Sequence, residues 1–533
     1  MPAVAAMPLL DAAAHHKPGH SQTATPTTKM TASPSASATQ GATPTMTYIP
    51  GSGGLVWNPM EAAYGAVGDG TTNDTTAVQA AINAASTGGA GATVWIPGGK
   101  IFNVTQLSLP SGSNLIFTGG GTILHRAAST GTMIVCGGAL AGLTMRDIKL
   151  DGNSPNVTSW TVGALTLNLT NGALLENVTV TRTRKQGVLI TAAGRAVRFQ
   201  ACKFVDLAEH GANLNEDAGA ITANGSNYLF SVTQCDFWQT TITTSTRLPG
   251  GIQVSGTNIN AYIDGNTFKN IGTQYTGETI GCIYLYTNGD KTTVTNNHFY
   301  TPYYTAISCQ NSHDTIVTGN QIHADANLVG YPILIAGMER SNNIRKLRST
   351  VSNNIITGAS GVTGGIVFQG DVTYELGDFT CSSNVIVGCT VGPGIKCRWT
   401  SGGAISNNKI KSCAGGIQIV DASYGDYDLA NNRFEDMTDE TILGPPTTEH
   451  ANGVALNITG GGSKDCTSPV ISVPDATQVT VNGFQFRGTP TTGNIILIAL
   501  TAKVIVTSCI ADTNSTRSIT GTTILKDLNN SWS

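Results

Sequence analysis

A short strand pattern recurs through most of the chain and constrains its fold more than any other feature of the sequence. Each copy begins with Asn or Cys and carries Phe or Ile two residues later. From Phe204 to Phe434, successive Phe or Ile positions are separated by 33, 31, 31, 23, 34, 30, 24 and 24 residues, by subtraction of their numbers. The copies are Cys202-Lys203-Phe204, Cys235-Asp236-Phe237, Asn266-Thr267-Phe268, Asn297-His298-Phe299, Asn320-Gln321-Ile322, Asn354-Ile355-Ile356, Asn384-Val385-Ile386, Asn408-Lys409-Ile410 and Asn432-Arg433-Phe434. Self-similarity at this period is typical of a solenoid.

A second strand type lies between these copies and usually begins with Gly followed by Ile or Val. It begins at Gly187, Gly251, Gly281, Gly365, Gly394 and Gly416. Apolar residues alternate within both strand types, whereas a helical repeat would place them at i, i+3 and i+4. One coil cannot bury its inner face alone, so neighbouring coils must share a core. Since parallel crossovers are almost always right-handed, we predict an all-β, right-handed parallel β-helix (a β-solenoid).

The Asn that opens most copies has a physical use in such a stack. Side chains at the same place in successive coils can form an amide ladder and satisfy the backbone groups of a turn. Several of the eleven cysteines also fall at like positions, such as Cys202 with Cys235 and Cys389 with Cys413. We predict that these are stacked, buried thiols rather than a disulfide framework.

Composition and charge exclude several classes of protein. Only 12% of the 533 residues are charged, about half the globular average. The formal net charge is −4, and this near-neutral balance gives no electrostatic signature of a nucleic-acid-binding protein, which would need a basic face. No run of 18 apolar residues exists, so no membrane span is expected. The cysteines show no zinc-type spacing, and the sequence predicts no metal and no cofactor.

The two ends of the chain differ from the repeat. Residues 1–45 consist largely of Ala, Thr, Ser and Pro, as in a flexible or attachment tail. Their opening has no basic region and no long apolar run, so it is a poor secretory signal. We predict an N-terminal cap at 46–90, the β-helix at 91–510 and a C-terminal cap or tail at 511–533, with no separate catalytic domain.

The predicted cap carries a distinctive motif. It reads Tyr64-Gly65-Ala66-Val67-Gly68-Asp69-Gly70-Thr71-Thr72-Asn73-Asp74-Thr75, followed by Ala77-Val78-Gln79-Ala80-Ala81-Ile82. This segment resembles the YGAxGDGxTDDTxAIQxAI opening of the pectate-lyase-like β-helix superfamily, which includes polygalacturonase-related proteins and phage tailspikes. Residues 94–99 (VWIPGG) and 143–153 (LTMRDIKLDGN) resemble two further segments of that opening.

The same segment has a physical interpretation as a capping helix. Asp74 or Thr75 would cap it, and Val78, Ile82 and Ala85 would form one apolar face. The helix would cover the open end of the solenoid, where an exposed sheet edge promotes aggregation. Asp69, Asn73 and Asp74 are then turn and cap residues rather than an acidic site.

The resemblance implies a polysaccharide laid across the stacked sheet, and loop length indicates where. The loops from the Phe-type strand to the Gly-type strand are 15, 14 and 13 residues long on three consecutive coils, against 6–9 on four other coils. Long loops on a regular scaffold are usually functional. Glycoside cleavage needs two carboxylates, roughly 5–5.5 Å apart for retention or 6.5–9.5 Å for inversion.

These long loops supply the candidate catalytic residues. Glu216 and Glu278 each lie three residues before their strand's Gly, on coils two apart. Two coil rises give about 9.6 Å, so we predict this acid–base pair, with Asp217 as the substitute for Glu216. Arg247, on the coil between, would hold an anionic sugar or tune a carboxylate. The other candidate substrate-binding residues of these loops are Trp238, Tyr275, Glu209 and His210.

A second set follows the Gly-type strands downstream. Asp371, Arg398 with Trp399, and Asp421 lie on three successive coils. They form either an alternative catalytic site or a sugar-binding groove. The polygalacturonase motifs have only weak echoes here, at residues 215–217 and 209–211, so no catalytic residue is carried over from that family.

The leading hypothesis is a phage tailspike or tail-fibre protein. It would bind a host surface polysaccharide, depolymerise it by hydrolysis or elimination, and join the virion tail or baseplate through its N-terminal segment. Analogy to tailspikes suggests a homotrimer. The alternatives are a secreted, extracellular bacterial polysaccharide lyase or hydrolase, and a non-catalytic glycan-binding or structural β-helix of a virion.

Overall fold

The computed structural model describes residues 55–532 with short gaps. The gaps are 90, 128–130, 155, 157–162, 185, 194, 208–218, 227, 241–249, 258, 272–280, 287–290, 303–304, 312–313, 326–327, 329, 338–347, 371–375, 422, 445–452, 467–469, 474–475, 489–495, 499–502, 512–518, 521–523 and 529–530. The predicted tail at 1–45 lies outside the described residues.

The described chain winds into coils that contribute one strand to each of three parallel sheets, except that the first and last coils have strands in sheets 1 and 2 only. Sheet 1 contains Val56–Trp57, Ala92–Trp95, Asn114–Thr118, Gly142–Arg146, Gly172–Glu176, Ala196–Gln200, Leu229–Thr233, Asn260–Asp264, Thr292–Thr295, Asp314–Thr318, Arg348–Ser352, Phe379–Ser382, Gly403–Ser406, Gly425–Ala430, Val454–Thr459, Gln478–Asn482, Lys503–Thr507 and Ile524–Leu528. Sheet 2 contains Asp69–Asn73, Ile101–Val104, Thr122–His125, Lys149–Asp151, Thr179–Thr181, Lys203–Val205, Asp236–Trp238, Thr267–Lys269, His298–Tyr300, Gln321–His323, Ile355–Thr357, Val385–Val387, Lys409–Lys411, Arg433–Glu435, Gly462–Lys464, Gln485–Arg487, Ile510–Ala511 and Ser531–Trp532. Sheet 3 contains Leu107–Leu109, Ile134–Cys136, Leu165–Asn168, Val188–Ala192, Gly219–Ser226, Gly250–Thr257, Ile283–Tyr286, Ile307–Gln310, Ile333–Ala336, Ile366–Gln369, Pro393–Arg398, Gly415–Val420, Ile442–Leu443, Ile471–Val473, Ile496–Ile498 and Ile519–Thr520. This architecture confirms the predicted right-handed parallel β-helix.

The core is a set of columns in which like residues stack from coil to coil. Phe204, Phe237, Phe268 and Phe299 occupy in-register positions of sheet 2. Their ring centroids are 4.8, 4.7 and 4.8 Å apart, and adjacent ring planes differ by only 6°. Each ring is at most 1% exposed. The recurring Phe or Ile of the repeat is therefore the inward-facing residue of sheet 2.

The predicted amide ladder is present at the corner between sheets 1 and 2. It joins seven buried side chains in order: Asn266, Asn297, Asn320, Asn354, Asn384, Asn408 and Asn432. Each of the first six donates from Nδ2 to Oδ1 of the next at 2.9–3.0 Å, and its backbone N–H donates to the same oxygen at 2.9–3.1 Å. The ladder thus satisfies a buried turn that no strand pairing reaches.

A second Asn just before the ladder residue shapes the same corner. Asn296, Asn353, Asn407 and Asn431 adopt φ between +53° and +57°. This left-handed conformation is costly for most residues, and Asn tolerates it best after Gly. The recurring Asn-Asn pair therefore divides two tasks, since the first residue turns the chain and the second bonds the coils together.

The cysteines agree with the prediction of stacked thiols. All eleven lie among the described residues and are free, and ten of them are buried. Cys235 precedes Asn266 in the ladder column, where its backbone N–H donates to Asn266 Oδ1 at 2.8 Å. Its own Sγ accepts from the Cys202 backbone N–H at 3.3 Å. Cysteine here replaces Asn as a weaker member of the same column.

The helix α1 (Thr75–Thr87) packs against the first strands of sheets 1 and 3. Its buried face contains the predicted Val78, Ile82 and Ala85. The predicted role of the Asp74 side chain as its cap is wrong. The buried Asp74 carboxylate instead accepts from the backbone N–H groups of Val67 and Gly68, at 2.8 and 3.2 Å. It therefore fixes the preceding turn, in which the Gly68 N–H would otherwise be buried without a partner.

Strand pairing continues through the C-terminal part of the described chain. Ile524–Leu528 pairs with Lys503–Thr507 in sheet 1, and Ser531–Trp532 pairs with Ile510–Ala511 in sheet 2. Among the described residues, no helix has the length and apolar character needed to cross a membrane.

Candidate functional site

The candidate site residues fall into two groups. Eight of them lie outside the described residues: Glu209, His210, Glu216, Asp217, Arg247, Tyr275, Glu278 and Asp371. Trp238, Arg398, Trp399 and Asp421 are described. The structure brings the last three together at the end of sheet 3, on two adjacent coils, and places Trp238 on sheet 2.

Arg398 connects the three side chains at sheet 3. Its Nε donates to Asp421 Oδ2 in a short ion pair that joins two coils. Its guanidinium carbon lies 4.5 Å from the centre of the Trp399 ring, in cation–π geometry. The Arg398 and Asp421 side chains are 27% and 33% exposed, so the pair is shielded but reachable from solvent. We call Arg398, Trp399 and Asp421 the Arg–Trp platform.

In-register neighbours extend this polar surface. Arg398 lies beside Gln369 on the preceding coil, and Lys396 lies beside Gln418 on the following coil. Partial burial lowers the pKa of Lys396, the Arg398 charge lowers it further, and the Asp421 charge acts in the opposite direction. The outer face of sheet 3 here presents amide and ammonium groups around an indole, which are groups that bind sugar hydroxyls and ring faces.

The backbone at Trp399 adopts a conformation that is unusual for its residue type. Trp399 has a φ of +47° and Asp421 a φ of +57°. Asn311, at the same corner of an earlier coil, is also left-handed, with a φ of +58°. A left-handed conformation suits Asn and Asp but is an outlier for a bulky aromatic residue. Strain of this kind costs about 1–3 kcal/mol and clusters at binding sites.

Trp238 belongs to a different surface. It is the third residue of a sheet 2 strand and points outward, in register with Lys269, Tyr300 and His323 on the next three coils. The Tyr300 and His323 rings stack with centroids 5.5 Å apart, and His323 Nδ1 lies 3.0 Å from Thr357 Oγ1. Sequence reasoning missed Tyr300 and His323, although their place two residues after His298 and Gln321 in the repeat marks them as outward-facing.

Sequence reasoning also missed the adjacent carboxyls Asp439 and Glu440. They lie on the loop from sheet 2 to sheet 3, the same edge at which the long loops enter sheet 3. Glu440's backbone N–H donates to Asp439 Oδ1 at 2.9 Å. The hydrogen bond with the Asp439 side chain, aided by partial burial, raises the pKa of Glu440 to about 7. Glu440 therefore carries a proton near neutral pH and is suited to general acid chemistry.

The raised pKa of Glu440 makes the stability of the protein depend on pH. The pKa of Glu440 is raised above its ordinary value, so its stabilising effect is complete below about pH 4.5 and is lost as the pH rises through about 7. Urea unfolding at several pH values gives the free energy of unfolding of the wild type and of Glu440→Gln. We expect the wild type's advantage over the variant to fall across that interval. Asp439→Asn is the control and should remove the same pH dependence. A difference that is flat with pH would contradict the raised pKa of Glu440.

Among the described residues, no group of three or more His, Cys, Asp or Glu side chains converges as a metal site.

Comparison with known proteins agrees with the fold. Residues 250–467 match the family described as the right handed beta helix region. Similar solved structures include PfbA, a surface adhesin of Streptococcus pneumoniae (18% identity, TM-score 0.47, covering 74% of this chain and 93% of that one). Others are the N-terminal fragment of bacteriophage Phi29 gene product 12 (13%, TM-score 0.44, covering 89% and 92%) and the tailspike of E. coli bacteriophage HK620 (12%, TM-score 0.43, covering 84% and 75%). No curated protein sequence matches the chain significantly. The chain is a right-handed parallel β-helix, and residues 250–467 carry the match to the family of that description.

Proposed function

We propose that this protein binds a polysaccharide along the outer face of sheet 3. The observation that carries the proposal is the Arg–Trp platform, a partly exposed indole held by a guanidinium–carboxylate pair at the end of two adjacent strands. An aromatic face beside fixed hydrogen-bonding groups is the combination that sugars need, because a sugar ring has apolar faces and hydroxyl edges.

The scaffold suits a long ligand better than a small one. In-register strands repeat equivalent outward positions about every 4.8 Å along the solenoid axis. Gln369 and Arg398 illustrate this repetition on neighbouring coils, as do Lys396 and Gln418. An extended chain of sugars can therefore meet a series of related contacts, as ligands do on other solenoid surfaces.

We further propose that the bound chain is cleaved by Glu216 and Glu278, with Asp217 as the substitute for Glu216. The loops that carry them lead into Gly219–Ser226 and Ile283–Tyr286, on either side of Gly250–Thr257 in sheet 3. These strands belong to the same sheet as the platform. Arg247, Tyr275, Glu209, His210 and Asp371 remain proposed substrate contacts.

The proposed setting is a virion tail, where a homotrimer attached through residues 1–45 would bind a host surface polysaccharide. This proposal rests on the resemblance of the capping segment to that of the superfamily containing tailspikes. Sedimentation at micromolar concentration should give a trimer, and a monomer would remove the trimer from the proposal.

The experiment that tests the function uses the purified full chain and a panel of bacterial capsules and O-antigens. We expect one polysaccharide class to be retained by the immobilised protein and to lose length during incubation. New reducing ends would identify hydrolysis, and the ultraviolet absorbance of an unsaturated product would identify elimination. Retention without shortening would reject the cleavage proposal, and absence of retention from the whole panel would reject the function.

The Trp399→Asn variant separates binding from folding. Asn fits the left-handed backbone better than Trp, so the free energy of unfolding should stay within about 1 kcal/mol of wild type or rise. Loss of the stacking face should weaken polysaccharide binding about tenfold, if a sugar gains as much as other rings do on an aromatic platform. Calorimetric titration and urea unfolding of the same samples provide both values. Unchanged affinity would exclude Trp399 from the site.

A further inference from the structure

A second surface with a distinct chemistry lies on the outer face of sheet 2. A groove of about 840 Å³ crosses four successive coils there. The side chains that give it its character are Lys409, Arg433, Glu435, Lys464, Gln485 and Arg487. They lie on four adjacent strands in parallel register, so the groove follows the solenoid axis.

The groove exists because one coil lacks side chains at its corner. Gly460, Gly461 and Gly462 replace the Asn-Asn pair and the outward residue that earlier coils carry at these positions. A Cβ on Gly461 would lie 2.3 Å from the Asn432 carbonyl oxygen, and one on Gly462 would lie 2.5 Å from that of Gln485. The backbones therefore approach closely, and the outward position between Arg433 and Gln485 is left as a hollow.

The charge of the groove is strongly biased. Its lining contains four cations and one carboxylate, a net charge of +3 in a chain whose overall charge is −4. Glu435 binds the neighbouring Lys411 at 2.9 Å, and this hydrogen bond lowers the pKa of Glu435 and keeps it ionised. Lys409 and Arg433 are exposed and form no ion pair with the described residues.

Neutral hydrogen-bonding groups accompany the cations. Asn407 and Asn431 line one side of the groove with exposed side-chain amides, and Gln485 accepts from Arg487 at 2.7 Å. Amides bind hydroxyl groups and cations bind carboxylate or sulfate groups. An acidic polysaccharide offers both kinds of group along an extended chain.

We propose that this groove is a second glycan-binding surface, selective for an acidic polysaccharide lying along the axis of sheet 2. The proposal rests on the proposed polysaccharide function but uses a different sheet from the Arg–Trp platform. A single-stranded nucleic acid fits less well, because such sites interleave cations with exposed aromatic rings. The one aromatic residue of the groove lining, Phe434, is buried.

The test compares binding of polygalacturonate, dextran sulfate, neutral dextran and single-stranded DNA to the full chain. We expect the two acidic polysaccharides to bind and neutral dextran not to bind in the groove, with affinity falling as salt screens the charges. The double variant Lys409→Ala/Arg433→Ala should weaken acidic binding about tenfold. The matched double variant Lys203→Ala/Lys503→Ala removes two exposed charges elsewhere and should leave it within about twofold. Glu435→Gln should strengthen binding, because it removes the groove carboxylate and leaves Lys411 paired only with Asp436, at 3.6 Å.

The outcomes separate this inference from the proposed function. If the wild type binds a surface polysaccharide but neither acidic probe, the groove proposal is wrong and the sheet 3 proposal stands. Equal losses of affinity in the two double variants would show that binding depends only on the net charge of the protein, and would overturn the groove as a site. Tighter binding of DNA than of either acidic polysaccharide would also overturn it. A changed sedimentation coefficient in Lys409→Ala/Arg433→Ala would assign the groove to contact between copies of the chain instead.

Discussion

Replacing Asn354 by Ala is expected to lower the free energy of unfolding by about 3–5 kcal/mol. Asn354 Oδ1 accepts from both the backbone N–H and the Nδ2 of Asn320, each at 3.0 Å. Its Nδ2 donates to the Val317 carbonyl at 3.0 Å and to Asn384 Oδ1 at 2.9 Å. Alanine would remove all four bonds and leave the buried Asn320 backbone N–H without an acceptor in the middle of the ladder. An unsatisfied buried group costs about 1–3 kcal/mol, and the three other lost bonds add to this.

Two variants control this measurement. Asn457 is exposed and donates to Asp428 Oδ1 at 3.1 Å between coils, so Asn457→Ala should change the free energy of unfolding by less than about 0.5 kcal/mol. Asn354→Cys should fall between wild type and alanine, because a thiol accepts a ladder bond at Cys235. Urea unfolding followed by circular dichroism provides the comparison. Equal effects of the Asn354→Ala and Asn457→Ala changes would show that the ladder is not what stabilises the corner.

Glu216→Gln and Glu278→Gln are each expected to lower the rate of polysaccharide cleavage by about 10²-fold or more. Both substitutions keep the side-chain shape and remove the titrating group, so folding should be unaffected. A groove that excludes water would raise the pKa of one carboxyl for its role as acid, whereas Arg247 would keep the other ionised. The rate is measured as new chain ends released per minute from the polysaccharide found by the binding screen.

The catalytic prediction has defined alternatives. Asp217→Asn tests the substitute carboxylate in the same loop. Full activity in both Glu216→Gln and Glu278→Gln would move the site to the second set, Asp371 and Asp421. Because Asp421 is already bonded to Arg398, that outcome would require the ion pair to open during turnover.

The fold could be predicted from the sequence because a solenoid repeats the same residue pattern in successive coils. Recurrence of Asn at one fixed place predicted the amide ladder, and recurrence of Phe or Ile two residues later marked the repeated strand. The Asp74 cap failed for the opposite reason. A helix-start rule is local, whereas the Asp74 carboxylate binds Val67 and Gly68 in a turn that only the tertiary structure brings near.

The surfaces were harder to predict than the core. Arg398, Trp399 and Asp421 could be grouped by their places after successive strands, but the ion pair and ring contact depend on left-handed corners that sequence spacing does not specify. The elevated pKa of Glu440 depends on a side-chain hydrogen bond within one loop. The basic groove depends on aligning Gly460–Gly462 with the Asn-Asn corners of neighbouring coils, which the spacing of the Phe positions alone does not reveal.

The most direct test of an extended polysaccharide site is the dependence of affinity on ligand length. Fragments of the polysaccharide found in the screen, graded from one sugar upward, would be titrated calorimetrically into the full chain. The account predicts that affinity rises by at least about tenfold as the fragment grows to span several coils, because each coil adds contacts about 4.8 Å further along the axis. A single sugar that binds as tightly as the long fragments would indicate a closed pocket and contradict the account.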